Sequence, residues 1–144
     1  HIIATVFIFL EGYTTMLQKL VEAEKLVEDV PIINLGNYKV AIVESKPHTV
    51  NKTLFEHENV DFIIFRDGNN LGIVRNASTD RPDFNNLKPI LEKELRDKGK
   101  LEELSEWFFH PAGFIVARGT RKHPAKTPSA LTPQDLLELL TSIL

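Results

Sequence analysis

The sequence predicts an α+β fold: a single domain with a mixed sheet of about five strands packed against helices. Three observations lead there. The chain has 144 residues, the length of one ordinary domain able to bury a real core. Short β-branched runs bounded by Gly- and Asn-containing turns alternate with amphipathic stretches. No repeat, low-complexity tract or internal linker separates the two kinds of segment.

The first residues, Ile2-Ile3-Ala4-Thr5-Val6-Phe7-Ile8-Phe9-Leu10, are apolar. They are too few to span a bilayer, which takes about 20 residues in a helix. No cationic stretch precedes them and no small-residue cleavage site follows, which argues against a signal peptide. Residues 1–12 therefore read as part of a core or of a dimer seam, ahead of a domain over 13–144. Met16, Leu17, Leu20, Val21 and Val27 fall near helical spacing among charged residues and predict an amphipathic helix over about 13–28, ended by Pro31.

Ile32 to Leu35, Gly36-Asn37 and Tyr38 to Val43 read as strand, turn and strand. Thr49 to Glu58 is a short helix candidate. Val60 to Arg66 and Leu71 to Arg75, joined by Asp67-Gly68-Asn69-Asn70, form the clearest hairpin. Residues 84–97 look helical with Asp83 as N-cap, and Pro89 delays or kinks the start. Leu101 to Trp107 adds a helical turn or two. Phe108 to Ala117 returns to strand character, interrupted at Pro111 and Gly113. Thr132-Pro133-Gln134-Asp135 then supplies an N-cap and a first-turn proline ahead of Leu136, Leu137, Leu139 and Leu140, predicting a terminal helix on the sheet.

Composition narrows the function classes. With 42% hydrophobic and 26% charged residues, the chain is a soluble globular type. A net charge of −3 argues against a generic nucleic-acid coat, so any anion binding must be local. The sequence has no cysteine, which excludes disulfides, thiolate metal sites and a cysteine nucleophile, and fits a reducing, cytoplasmic compartment. Phosphate-loop, dinucleotide-fingerprint, His-Glu-x-x-His and Gly-x-Ser-x-Gly signatures are all missing. His1, His48, His57, His110 and His123 are scattered, and spacing offers no metal set. Glu102, Glu103 and Glu106 read as solvated charge on a helix. Asn51-Lys52-Thr53 and Asn76-Ala77-Ser78 match glycosylation sequons by chance.

The stretch from Trp107 to Lys122 is the best candidate for a site. His110 and Gly113 interrupt an apolar run that opens onto Arg118, Gly119, Thr120, Arg121 and Lys122. A histidine, a mobile backbone and cations without nearby carboxylates are what an anionic group such as phosphate requires. The alternative is a buried strand with one satisfied histidine and a solvated basic loop.

The order His110-Pro111-Ala112-Gly113-Phe114-Ile115, then small and basic residues, then a short helix, resembles the C-terminal DHH-associated domain of DHH-superfamily phosphoesterases. The likeness is greatest to the melanocyte-proliferating-gene type of exonuclease. Val60-Asp61-Phe62-Ile63-Ile64-Phe65 with its following turn is similar to that branch's strand and hairpin, and Glu22-Ala23-Glu24-Lys25 is similar to its linker helix. The resemblance implies a substrate-holding lobe in which His110 and the Gly113 backbone bind the phosphate or terminal nucleotide of a short nucleic acid. Arg118, Thr120 and Arg121 are added from charge and position. Phe108 and Phe109 stand where the wider superfamily places glycines. The family's metal-binding aspartates, and with them a divalent metal such as manganese, belong to an N-terminal catalytic domain outside this sequence. The chain alone thus carries no catalytic residue, metal or cofactor. Two other readings compete: a homodimerising or protein-interaction module, and a small enzyme acting on a phosphorylated metabolite with His110 as acid or base.

Overall fold

The computed structural model describes residues 29–47, 49–79, 81–120 and 122–144. The segment 1–12 and the helix expected over 13–28 lie outside them. Strands Ile32–Leu35 (β1) and Tyr38–Glu44 (β2) pair antiparallel around Gly36-Asn37, where Gly36 takes a left-handed φ of +61°. Helix Thr49–Glu56 (α1) carries the chain to strand Phe62–Asp67 (β3), which pairs parallel with β2. A parallel partner cannot be reached by a tight turn, so a crossover connection is required, and α1 forms part of it. Strand Asn70–Arg75 (β4) returns antiparallel across Gly68-Asn69.

A 3₁₀ turn, Phe84–Leu87, precedes helix Lys88–Asp97 (α2). Asp83 caps the turn by accepting the Asn85 N–H at 2.8 Å. Pro89 falls in the first turn of α2, where its missing N–H has no intrahelical partner to lose. The expected helix over 84–97 is thus split at the proline. A second 3₁₀ segment, Leu101–Glu106, leads into strand Trp107–Phe109 (β5), which pairs antiparallel with strand Ile115–Arg118 (β6). Helix Pro133–Ile143 (α3) closes the chain. Its Thr132–Asp135 capping box satisfies both exposed N–H groups: Thr132 N–H donates to Asp135 Oδ2 at 2.9 Å and Asp135 N–H to Thr132 Oγ1 at 3.2 Å.

The sheet is six-stranded, in the order β1-β2-β3-β4-β6-β5. The strand more than expected arises because Pro111 and Gly113, at φ +79°, fold the apolar run 107–118 back on itself.

Alternation sends successive side chains to opposite faces, and the two faces are covered unequally. One packs Phe62, Ile64, Leu71, Ile73 and Val116 against α2, α3 and the 3₁₀ turns, forming the larger core. On the other, α1 buries Ala41, Val43, Val50, Leu54 and Ile63, together with Val30. That helix lies over β2 and β3, and among the described residues no helix lies above the outer strands on this side.

Candidate functional site

Register decides which side chains stand on the half-open face. Reading across the strands, Val43 pairs with Phe65, Phe65 with Gly72, Gly72 with Ala117, and Ala117 with Phe108. The next row is Ala41, Ile63, Val74 and Ile115, extended to His110 by its N–H bond to the Ile115 carbonyl at 3.0 Å. The result is an apolar floor with Phe108 and His110 at its outer edge. Phe108 is 53% exposed, unusual for a phenylalanine on a strand.

The floor sinks into a groove of about 350 Å³ between α1 and the chain that follows β6. Phe65, Val74, Ile115 and Ala117 form its base, Pro47 and Asn51 one wall, and Gly119 and Thr120 the other. The volume lies within the range of small-ligand pockets, about 300–1,000 Å³. Strand directions locate its polar end. β2, β3 and β6 all run the same way, so the residues at or just beyond their C-terminal ends share one rim: Lys46, Asp67 and Thr120. A crevice outside the carboxyl ends of parallel strands is where open α/β sheets place ligands.

His110 begins the turn at the opposite end of β6. Its Nδ1 accepts the Ala112 N–H at 3.0 Å, which leaves Nε2 as the nitrogen able to donate. The ring packs on Phe114, centroids 4.3 Å apart, and meets Phe108 edge-on at 6.0 Å. Gly113 is buried, and both its backbone groups are engaged: its N–H donates to the His110 carbonyl at 2.8 Å and its carbonyl accepts the Phe84 N–H at 2.9 Å. The backbone cradle expected at Gly113 therefore has no N–H left to offer, and His110 Nε2 is the turn's remaining donor on that histidine.

Arg118 projects to the helix-covered face, where its side chain is 2% exposed. Its Nε donates to Glu106 Oε2 at 2.9 Å, and the guanidinium also reaches Thr127 Oγ1 at 3.0 Å and the Asn69 carbonyl at 3.3 Å. Glu103, expected as solvated charge, is buried beside it at 4.0 Å. Its carboxylate accepts from Trp107 Nε1 at 3.1 Å, Ser129 Oγ at 2.6 Å and the Ala130 N–H at 2.8 Å. Arg118 is thus an internal clasp holding the 119–131 connection to the sheet, and does not face the groove.

Thr120 does line the groove. Its Oγ1 accepts the His123 N–H at 2.9 Å, and its hydroxyl hydrogen remains able to donate. Asn70 fixes this loop by donating to the Thr120 carbonyl at 3.3 Å and accepting the Ala125 N–H at 2.9 Å. Arg121 lies outside the described residues. His110 and Thr120 are separated by the length of β6, about 16 Å at the usual rise per residue. The expected cluster is thereby divided between the two ends of one strand.

Sequence reasoning missed Lys46 and Asn51. Lys46 is half-buried and, among the described residues, has neither an ion pair nor a side-chain hydrogen bond. Asn51 stands out in the sequence only as a chance sequon. The usable signal was a lysine just past the first strand of a strand–helix–strand unit.

Among the described residues, no three His, Asp or Glu side chains converge as metal ligands. No helix among the described residues is long and apolar enough to cross a membrane. No protein-family model and no curated protein matches the chain. Among solved structures, the chain is similar to an uncharacterised protein from Helicobacter pylori G27, at 12% identity and a TM-score of 0.37. That alignment covers 92% of this chain and 33% of the other, so the chain spans about a third of that protein's length.

Proposed function

We propose that this chain is a substrate-holding lobe that binds a nucleotide or the end of a short nucleic acid, as its resemblance to DHH-associated domains implies. Phosphodiester hydrolysis would belong to a separate metal-binding domain. The observation that carries the reading is the pairing of Phe108 and His110 on the open rim of an apolar floor leading into the groove. An exposed aromatic beside a hydrogen-bond donor is a stacking platform for a base. His110 Nε2 is the donor at this rim, Thr120 serves the far end, and Arg118 and Gly113 act by shaping the walls.

The test is calorimetric titration of short single-stranded RNA, DNA and dinucleotides into the full chain at low and moderate salt, with His110→Ala as control. Salt-sensitive binding weakened in the variant is expected. Absence of binding at both salts refutes the lobe. A second reading, a protein-interaction module, is favoured by the same exposure of Phe108 on a sheet edge. A concentration-dependent dimer in sedimentation, abolished by Phe108→Ser, would select it.

A further inference from the structure

We propose that the groove binds a planar aromatic monophosphate in one orientation, with the phosphate at the Lys46–Asn51–Thr120 end and the ring on the floor toward Phe108 and His110. The proposal rests on the lobe reading for its ligand class and departs from it over which residues hold the phosphate.

Three donors line one end of the groove from three separate elements. Lys46 comes from the β2–α1 connection, Asn51 from the first turn of α1, and Thr120 from the loop after β6. Lys46 is a cation with no partner among the described residues, and Asn51 makes no side-chain hydrogen bond there. Within the described residues neither the Lys46 ammonium nor the Asn51 amide is engaged, so both are water-accessible donors that an incoming acceptor can take over without breaking a protein hydrogen bond. A phosphate presents three acceptor oxygens and more than one negative charge, which suits one ammonium and two neutral donors. Arg66 also lines this end, but its guanidinium is paired to Glu44 at 2.6 Å. Asp67, the one carboxylate on the lining, stands on the same rim as Lys46 and Thr120 but is exposed, where water and salt screen its charge. Away from that rim the base is hydrocarbon: Phe65, Val74, Ile115 and Ala117. A flat sheet floor of this kind takes a ring face-on and leaves no partner for a second charge. At the opposite end, the Gly113 N–H and His110 Nδ1 are already bonded within their turn. That end is therefore the poorer of the two for a dianion.

The experiment titrates phenyl phosphate, adenosine monophosphate and adenosine into the full chain and into the Lys46→Ala, Asn51→Ala and His110→Ala variants, with thermal melts confirming that each is folded. Among the described residues Lys46 makes no ion pair or side-chain hydrogen bond that its truncation would remove. The expected result is a loss of at least 10-fold in affinity for both phosphates in Lys46→Ala, a smaller loss in Asn51→Ala, and unchanged affinity for adenosine. His110→Ala should leave the preference for the monophosphate over adenosine unchanged. Unchanged phosphate affinity in Lys46→Ala overturns the proposal, as does a His110→Ala variant that no longer prefers the monophosphate over adenosine; nucleotide binding in either case leaves the lobe reading standing. Lys46-dependent binding of phenyl phosphate without binding of adenosine monophosphate supports the groove's orientation and refutes the nucleotide lobe. Failure of all three ligands to bind overturns both.

Discussion

Gly113 lies so close to Asp83 that a β-carbon on the glycine would overlap Asp83 Oδ1. The same aspartate caps the 3₁₀ turn through the Asn85 N–H, and the adjoining Phe84 N–H donates to the Gly113 carbonyl at 2.9 Å. The β5–β6 turn that carries His110 is therefore built onto the cap of another element. Its left-handed φ of +79° adds a second reason for glycine.

Gly113→Ala should destabilise the fold by about 1–3 kcal/mol through backbone strain and collision with the cap. Asp83→Ala should cost about 1 kcal/mol as a lost cap. Because the alanine at 83 removes the obstacle, the double variant should be more stable than the two single effects added together. Chemical denaturation of the four proteins measures this coupling, and strict additivity would show that the two residues do not interact.

Gly72→Ala tests the groove floor. A β-carbon there would stand 2.6 Å from the Val116 carbonyl and 2.7 Å from the Phe65 ring, which lies over the glycine from the adjacent strand. Overpacking of this kind costs about 1–3 kcal/mol. The displaced Phe65 should also reduce binding of any groove ligand, so denaturation midpoint and ligand affinity should fall together.

Arg118→Met should destabilise the protein by about 3 kcal/mol, because it leaves the buried Glu103 carboxylate without its nearest cation. The loop 119–131 should become faster in amide hydrogen exchange, since the guanidinium links Thr127 and Asn69 to the sheet. A variant that melts with the parent and loses only ligand affinity would contradict the internal role.

Phe108→Ser should leave the thermal midpoint within the small range typical of surface changes, about 0.5 kcal/mol, because the ring is 53% exposed. Stacking of a base on it is worth about 1–3 kcal/mol, so nucleotide affinity should drop by about 5- to 150-fold. A large loss of stability would instead mean that the ring is buried in solution.

Thr132→Ala removes half of the α3 capping box and should cost about 1 kcal/mol. The measurement is again the denaturation midpoint, with ligand affinity expected to remain at the parent value.

Most of the elements were legible because their signals are local. Gly36-Asn37 and Gly68-Asn69 mark two hairpins, Asp83 and Thr132 cap their turns, and Pro89 falls where the α-helical part of its segment begins. Such features depend on φ preferences and on hydrogen bonds between residues a few positions apart, so the sequence alone determines them. The tertiary structure decided everything that depended on partners from elsewhere. Period-2 alternation says that Phe65, Val74, Ala117 and Phe108 each belong to one face of a strand, but only the sheet order places them side by side on the face that carries α1 over β2 and β3. Glu103 read as solvent charge because its acceptors are filled by Ser129 and Ala130, 26 and 27 residues away. Arg118 read as a phosphate ligand because a guanidinium carries the same charge whether it faces a groove or a buried carboxylate. Burial, and with it chemical availability, is set by what packs above a residue; the sequence supplied the groups, and the pairing of strands chose which of them remained free.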